Sequence, residues 1–204
     1  MQLNEGTQMI FPKRIDTSIT GRIVDIWKAF NADAYLPAIS LALTIPDVCG
    51  GRLHPDMYVR ERYVAWFDEY IAQAYLDETT LVIDGKLVDP RYYFDGEDCY
   101  QLRCAYLHQG VNTPDRTKPK TVYNVIQFRV FEDETGSCDR IGTVSGGLTD
   151  GIFRQVDLDL GKFIRYLDQG VAHFLRDHPD MNADNGSDSY LYAPIQDFKS
   201  DINL

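Results

Sequence analysis

Positive charge is scarce in this 204-residue chain, where 20 Lys and Arg stand against 31 Asp and Glu for a formal net charge of −11. A broad basic surface is therefore missing, and with it the class of proteins that hold nucleic acid non-specifically by neutralising phosphates. An RNA bound here has to meet a local positive site inside an acidic protein. Cysteine is also sparse: Cys49, Cys99, Cys104 and Cys138 form neither the close pairs of a zinc site nor a disulfide scaffold. They read as reduced thiols of a cytoplasmic protein. Long apolar runs are missing as well. The longest, residues 34–48, is too short to cross a bilayer and contains Pro37 and Pro46, and the polar N-terminus has no signal-peptide core. No membrane association is expected. There is no Walker loop, dinucleotide fingerprint or Gly-x-Ser-x-Gly elbow, which removes the usual nucleotide-binding and hydrolase classes. His173 and His178 are five apart with no third ligand in sight, so they read as structural or surface residues. No metal and no cofactor is expected.

What is present is helical periodicity. Apolar content of 44% and charged content of 25% suit one globular domain. Ile19, Ile23, Ile26, Trp27 and Phe30 make one stripe behind a cap at Thr17 or Ser18. Asp33 reads as the cap of a second helix with Tyr35, Leu36, Ile39, Ala42 and Leu43 inward and Pro46 near its end, and Gly50-Gly51 as a break. From Asp56 a helix of about five turns carries Val59, Tyr63, Trp66, Phe67, Tyr70, Ile71 and Ala74 on one face and Arg60, Glu61, Arg62, Asp68 and Glu69 on the other. Residues 78–94 read as a small turn or hairpin. Later, residues 122–131 alternate as a strand, 132–139 turn around Gly136, and 141–145 return, which predicts a β-hairpin insert near 121–146. A last helix from about Val156 to Asp177 carries Leu160, Phe163, Ile164, Leu167, Val171 and Phe174. The expectation is an N-terminal arm at 1–17, a mainly α domain at 18–178 built as a bundle of about five helices, and an acidic tail at 179–204.

The stretch that carries chemistry lies between the hairpin and the strand. Asp95, followed by Glu97 and Asp98, signals a helix start and Gly110 a stop, with Cys99, Leu102, Ala105 and Tyr106 on the apolar face. The same helix holds Arg103 and His108. Arginine offers a permanent cation with a planar fork for a phosphate, and histidine relays a proton near neutral pH, so the pair can cleave RNA without a metal. Five residues at about 100° each place the two side chains roughly 140° apart on an ideal helix, so either a long arginine and a frayed last turn bring them together or a second subunit supplies the other half. The bland alternative is that Arg103 pairs with an acid such as Asp68 or Glu69 and His108 meets the helix C-terminal dipole. Beyond Gly110, Arg116, Lys118 and Lys120 form a basic loop, the best candidate for guiding a phosphate backbone in so acidic a chain.

The run Leu102-Arg103-Cys104-Ala105-Tyr106-Leu107-His108-Gln109-Gly110 resembles the Arg-x4-6-His signature of the HEPN superfamily and small bacterial proteins within it. The resemblance implies an all-helical bundle over residues 18–178 that dimerises, bringing two motifs together as a metal-independent endoribonuclease of the toxin or antiphage-defence type. It implies Arg103 and His108 as the catalytic pair and an antitoxin or other protein as a partner. Cys104 stands where many active members carry a polar residue, and that departure keeps an alternative open: an inactive HEPN-like binding or scaffold module for a nucleotide or a partner protein.

Overall fold

The structure, a computed structural model, describes residues 16–76, 81–83, 86–88, 92–109, 122–131, 140–145 and 152–182, with side chains at 16–76, 92–107, 126–131 and 155–182. The described residues are mainly helical. Helix α1 (Ile19–Asn31) starts where Ser18 Oγ accepts from the Gly21 amide at 3.0 Å, and its Ile19, Ile23 and Ile26 are buried as their spacing requires. Helix α2 (Tyr35–Ala42) buries Ala38, Ile39 and Ala42. Asp33 is not its cap. It sits at φ 56° in the link from α1, a conformation that Asp tolerates better than most residues, and accepts from Tyr35 Oη at 2.6 Å. Leu36, expected inward, is 68% exposed.

Helix α3 (Ile45–Leu53) runs straight through Gly50-Gly51, so the expected break is absent, and Pro46 lies in its first turn, where a missing amide costs nothing. The glycines answer a packing demand instead. A Cβ on Gly50 would stand 2.4 Å from the backbone oxygen of Arg62, so only glycine lets α4 (Val59–Tyr70) approach this closely. Helix α4 is shorter than its pattern suggests and passes into a 3-10 turn at Ala72–Tyr75. The expected small hairpin follows, with β1 (Leu81–Ile83) antiparallel to β2 (Lys86–Val88). Helix α5 (Gly96–Gln109) carries the motif.

The second β element differs from the expected hairpin insert. Strands β3 (Val122–Arg129) and β4 (Arg140–Ser145) do not pair with each other; β5 (Ile152–Asp159) lies between them in the order β3-β5-β4, parallel to β3 and antiparallel to β4. Residues 155–159, Gln-Val-Asp-Leu-Asp, alternate polar and apolar with period two; Val156 and Leu158 enter the core, and Asp157 and Asp159 are buried as well, Asp157 against Arg129. Helix α6 (Leu160–Asp177) therefore begins four residues later than the sequence suggests, capped by Asp159, whose Oδ1 accepts from the Lys162 amide at 3.0 Å. The sheet joins the helices through Phe128, whose ring lies 5.1 Å from that of Phe163.

All helices close on one core, with Tyr63, Trp66, Phe67, Phe94, Phe163 and Phe174 fully buried. Trp66 stacks on Tyr70 at 5.4 Å and meets the edge of Phe174 at 5.9 Å. The start of the expected tail also belongs to the fold: Pro179–Asn182 form a 3-10 turn, Arg52 Nη1 donates to the Met181 carbonyl, and Asn182 Oδ1 accepts from the Thr20 amide at 3.1 Å.

Candidate functional site

Helix α5 is fixed first at its N-terminus. Asp95 Oδ1 accepts from the Asp98 amide at 2.9 Å, the cap that the sequence signals, and the Gly96 amide donates to Asp68 Oδ1 at 2.7 Å. A Cβ on Gly96 would come within 2.7 Å of the Val64 carbonyl oxygen, so α4 and α5 touch backbone to backbone there. Cys99, Leu102 and Ala105 then turn into the core, and Tyr106 packs partly against it. Beneath the helix the Tyr63 hydroxyl donates to the Leu43 carbonyl at 3.1 Å and lies 3.3 Å from Cys99 Sγ. Burial pushes both groups up, Tyr63 well above the ordinary phenol range, so neither is a nucleophile or a base near neutrality.

Arg103 stands on the arc of α5 that faces α3. Its Nη2 donates to Asp47 Oδ2 at 3.3 Å, while Arg62 Nη2, from α4, donates to the other oxygen of the same carboxylate at 3.2 Å. Three helices thus converge on one carboxylate held by two guanidiniums. The three side chains are 19% (Arg103), 22% (Arg62) and 25% (Asp47) exposed, enough for a ligand to reach but not for water to screen the charges fully. One positive charge is left in excess. The Nε atoms of both arginines are buried without a hydrogen-bond partner among the described residues. The neighbouring ion pair differs in kind: Arg60 meets Glu97 with both Nε and Nη2, at 2.9 and 2.8 Å, and Gln101 Nε2 adds a third donor to Glu97 at 2.7 Å. That pair has a bidentate fit. The Asp47 cluster, with a single long contact per arginine, does not. Tyr100 lies beside it, its ring 5.4 Å from Tyr63 and its phenol pushed up first by partial burial and then by Cys104.

Of the residues singled out by sequence, Arg103 is placed in this cluster. The backbone of His108 belongs to α5, but its side chain lies outside the described residues, as do Arg116, Lys118 and Lys120 entirely. The acid that pairs with Arg103 is Asp47, not Asp68 or Glu69. Asp68 is spent on the Gly96 amide at the start of α5, and Arg103 lies about two turns farther along, roughly 10 Å by helix rise. Asp47 and Arg62 were missed by sequence reasoning. Asp47 falls just past Pro46, where the sequence reads the end of a helix rather than the start of α3, and Arg62 reads as one member of a solvated charged face. The closest thing to a signal is Gly50-Gly51, where the first glycine admits the Arg62 backbone and the Arg62 guanidinium packs over the second.

His178 closes α6, its amide donating to the Phe174 carbonyl at 2.8 Å and its ring 5.3 Å from that of Phe174. His173 lines a groove of about 410 Å³ with Tyr70, Tyr166 and Arg176, away from the Asp47 cluster. Among the described residues no group of three or more His, Cys, Asp or Glu is placed to hold a metal ion, and no helix is long and apolar enough to cross a membrane. The chain matches no family model, no curated protein and no solved structure.

Proposed function

We propose that the protein is a HEPN-like, metal-independent endoribonuclease of the toxin or antiphage-defence type, in which Arg103 holds the phosphodiester and His108 moves the proton. The observation that carries this reading is the excess positive charge where Arg62 and Arg103 share Asp47, inside a chain of net charge −11. A phosphate is attracted to such a point in an otherwise acidic chain. Arg103 neutralises charge that builds on the phosphorus oxygens, and His108, five residues on, serves the 2′-hydroxyl or the leaving 5′-oxygen. Arg116, Lys118 and Lys120 guide the RNA backbone in this reading, and a homodimer in the cytoplasm brings two motifs to one cleft. The test is incubation with labelled RNA in EDTA. Wild type is expected to cleave, and Arg103→Ala and His108→Ala to lose at least a hundredfold in rate. Equal cleavage by the variants, or none by wild type across varied RNAs, removes the assignment.

The Arg103–Asp47 contact favours a second reading, the inactive scaffold module for a nucleotide or protein, in which the ion pair only ties α5 to α3. Denaturation separates the two. A loss of about 3 kcal/mol or more in Arg103→Ala marks a partly buried structural partner, whereas a neutral or stabilising change marks a site held at the expense of stability.

A further inference from the structure

We infer that Arg62 is a second anion-binding guanidinium beside Arg103, and that Asp47 is an internal counter-ion holding the two arginines as a clamp for a phosphate group. The contrast with Arg60 and Glu97 is the starting point. There a carboxylate fills the fork of one arginine at 2.8 and 2.9 Å. At the clamp one carboxylate is divided between two arginines at 3.2 and 3.3 Å, so each fork keeps donors unspent, and the two buried Nε atoms have no partner among the described residues. A tetrahedral dianion or a phosphodiester presents several oxygens to both forks at once, which one planar carboxylate cannot do. The seat is built for this. Gly50 admits the backbone of Arg62 against α3, and the guanidinium lies over Gly51 with its Nη2 3.2 Å from Asp47 Oδ1. Asp47 keeps two like charges together until a phosphate oxygen competes for the same N–H groups. The inference deepens the ribonuclease reading and rests on it only for the identity of the natural ligand, an RNA phosphodiester.

The probe is inorganic pyrophosphate, titrated calorimetrically into the full chain at constant ionic strength. Saturable binding is expected, weakened at least fivefold in Arg62→Gln and in Arg103→Gln, and only partly restored in Arg62→Lys, which keeps the charge but loses the fork. Asp47→Asn is expected to melt lower than wild type and to gain more from pyrophosphate than wild type does. Glu97→Gln, which frees Arg60 instead, gains no more than wild type. Absence of saturable binding by wild type, or a change below fivefold in Arg62→Gln, overturns the clamp; should Asp47→Asn not fold, the Arg62 variants carry the test alone. Pyrophosphate bound through Arg62 without any RNA cleavage leaves the clamp and removes the ribonuclease reading. RNA cleavage with Arg62→Gln unchanged in both assays does the reverse.

Discussion

Tyr63 shows how much one side chain contributes between the core and the site. Its ring is fully buried and its hydroxyl donates to the Leu43 carbonyl, linking α4 to the end of α2 directly beneath α5. Tyr63→Phe keeps the ring and strands that carbonyl, so a loss of about 1 kcal/mol is expected in urea denaturation, with the fold unchanged. Cys49 makes a pH prediction. Burial raises its thiol from 9.0 to about 12 despite the opposing pull of Arg52 and Arg22. Between those two values the unfolded chain has released a proton that the folded chain keeps, so the folded state binds more protons and stability falls as pH rises. Denaturation midpoints are expected to drop above about pH 9, less steeply in Cys49→Ala, and native Cys49 is expected to resist alkylation that unfolding permits. At this scale the candidate cluster around Asp47 was only partly legible. Arg103 declares itself because a cation on the helix that also carries His108 exceeds what packing needs. Asp47 and Arg62 do not, because their partnership joins residues 15 and 56 positions apart in the chain.

The helices with the clearest stripe were legible, since burial of one face forces spacing of three and four on the sequence: Ile19, Ile23 and Ile26 of α1 and Leu160, Phe163, Ile164, Leu167, Val171 and Phe174 of α6 are buried as read. Two elements were not. Val156 stands four residues before Leu160 and so extends the apolar seam of α6 backwards, and the period-two signal of β5 is too short to outweigh it. Gly50-Gly51 reads as a breaker because glycine disfavours a helix by about 1 kcal/mol per residue. Helix contact decides otherwise, and it can be tested. Gly50→Ala puts a methyl carbon 2.4 Å from the Arg62 carbonyl oxygen, so α3 and α4 must separate. A loss of about 1–3 kcal/mol is expected from urea midpoints, whereas the same change at an unpacked helical glycine stabilises. Because the shift also carries Arg62 away from Asp47, the variant is expected to weaken pyrophosphate binding as well.

The mainly helical body with a small β element was legible for the molecule as a whole; the sheet order was not, because no local pattern says which strand lies in the middle. The proposed pairing of two copies beside α5 is also a property of the whole molecule. Light scattering at tens of micromolar is expected to give twice the chain mass of 23.3 kDa, and a monomer at that concentration argues against a shared cleft. The central place of β5 has a consequence for synthesis. A ribosome makes β3 and β4 first, yet each finds its partner only when residues 152–159 have emerged. Until then the nascent chain holds two strands with open edges, the kind of surface that recruits holdases or pairs with neighbouring chains. A chain stopped at residue 150, which lacks α6 as well as β5, is expected to sediment as aggregate or emerge bound to chaperones, one stopped at residue 159 to do so less, and one stopped at residue 182 to stay in the supernatant. Translation through those eight residues of β5 gives both strands their partner, and the core closes only when Leu160, Phe163, Leu167 and Phe174 of α6 follow.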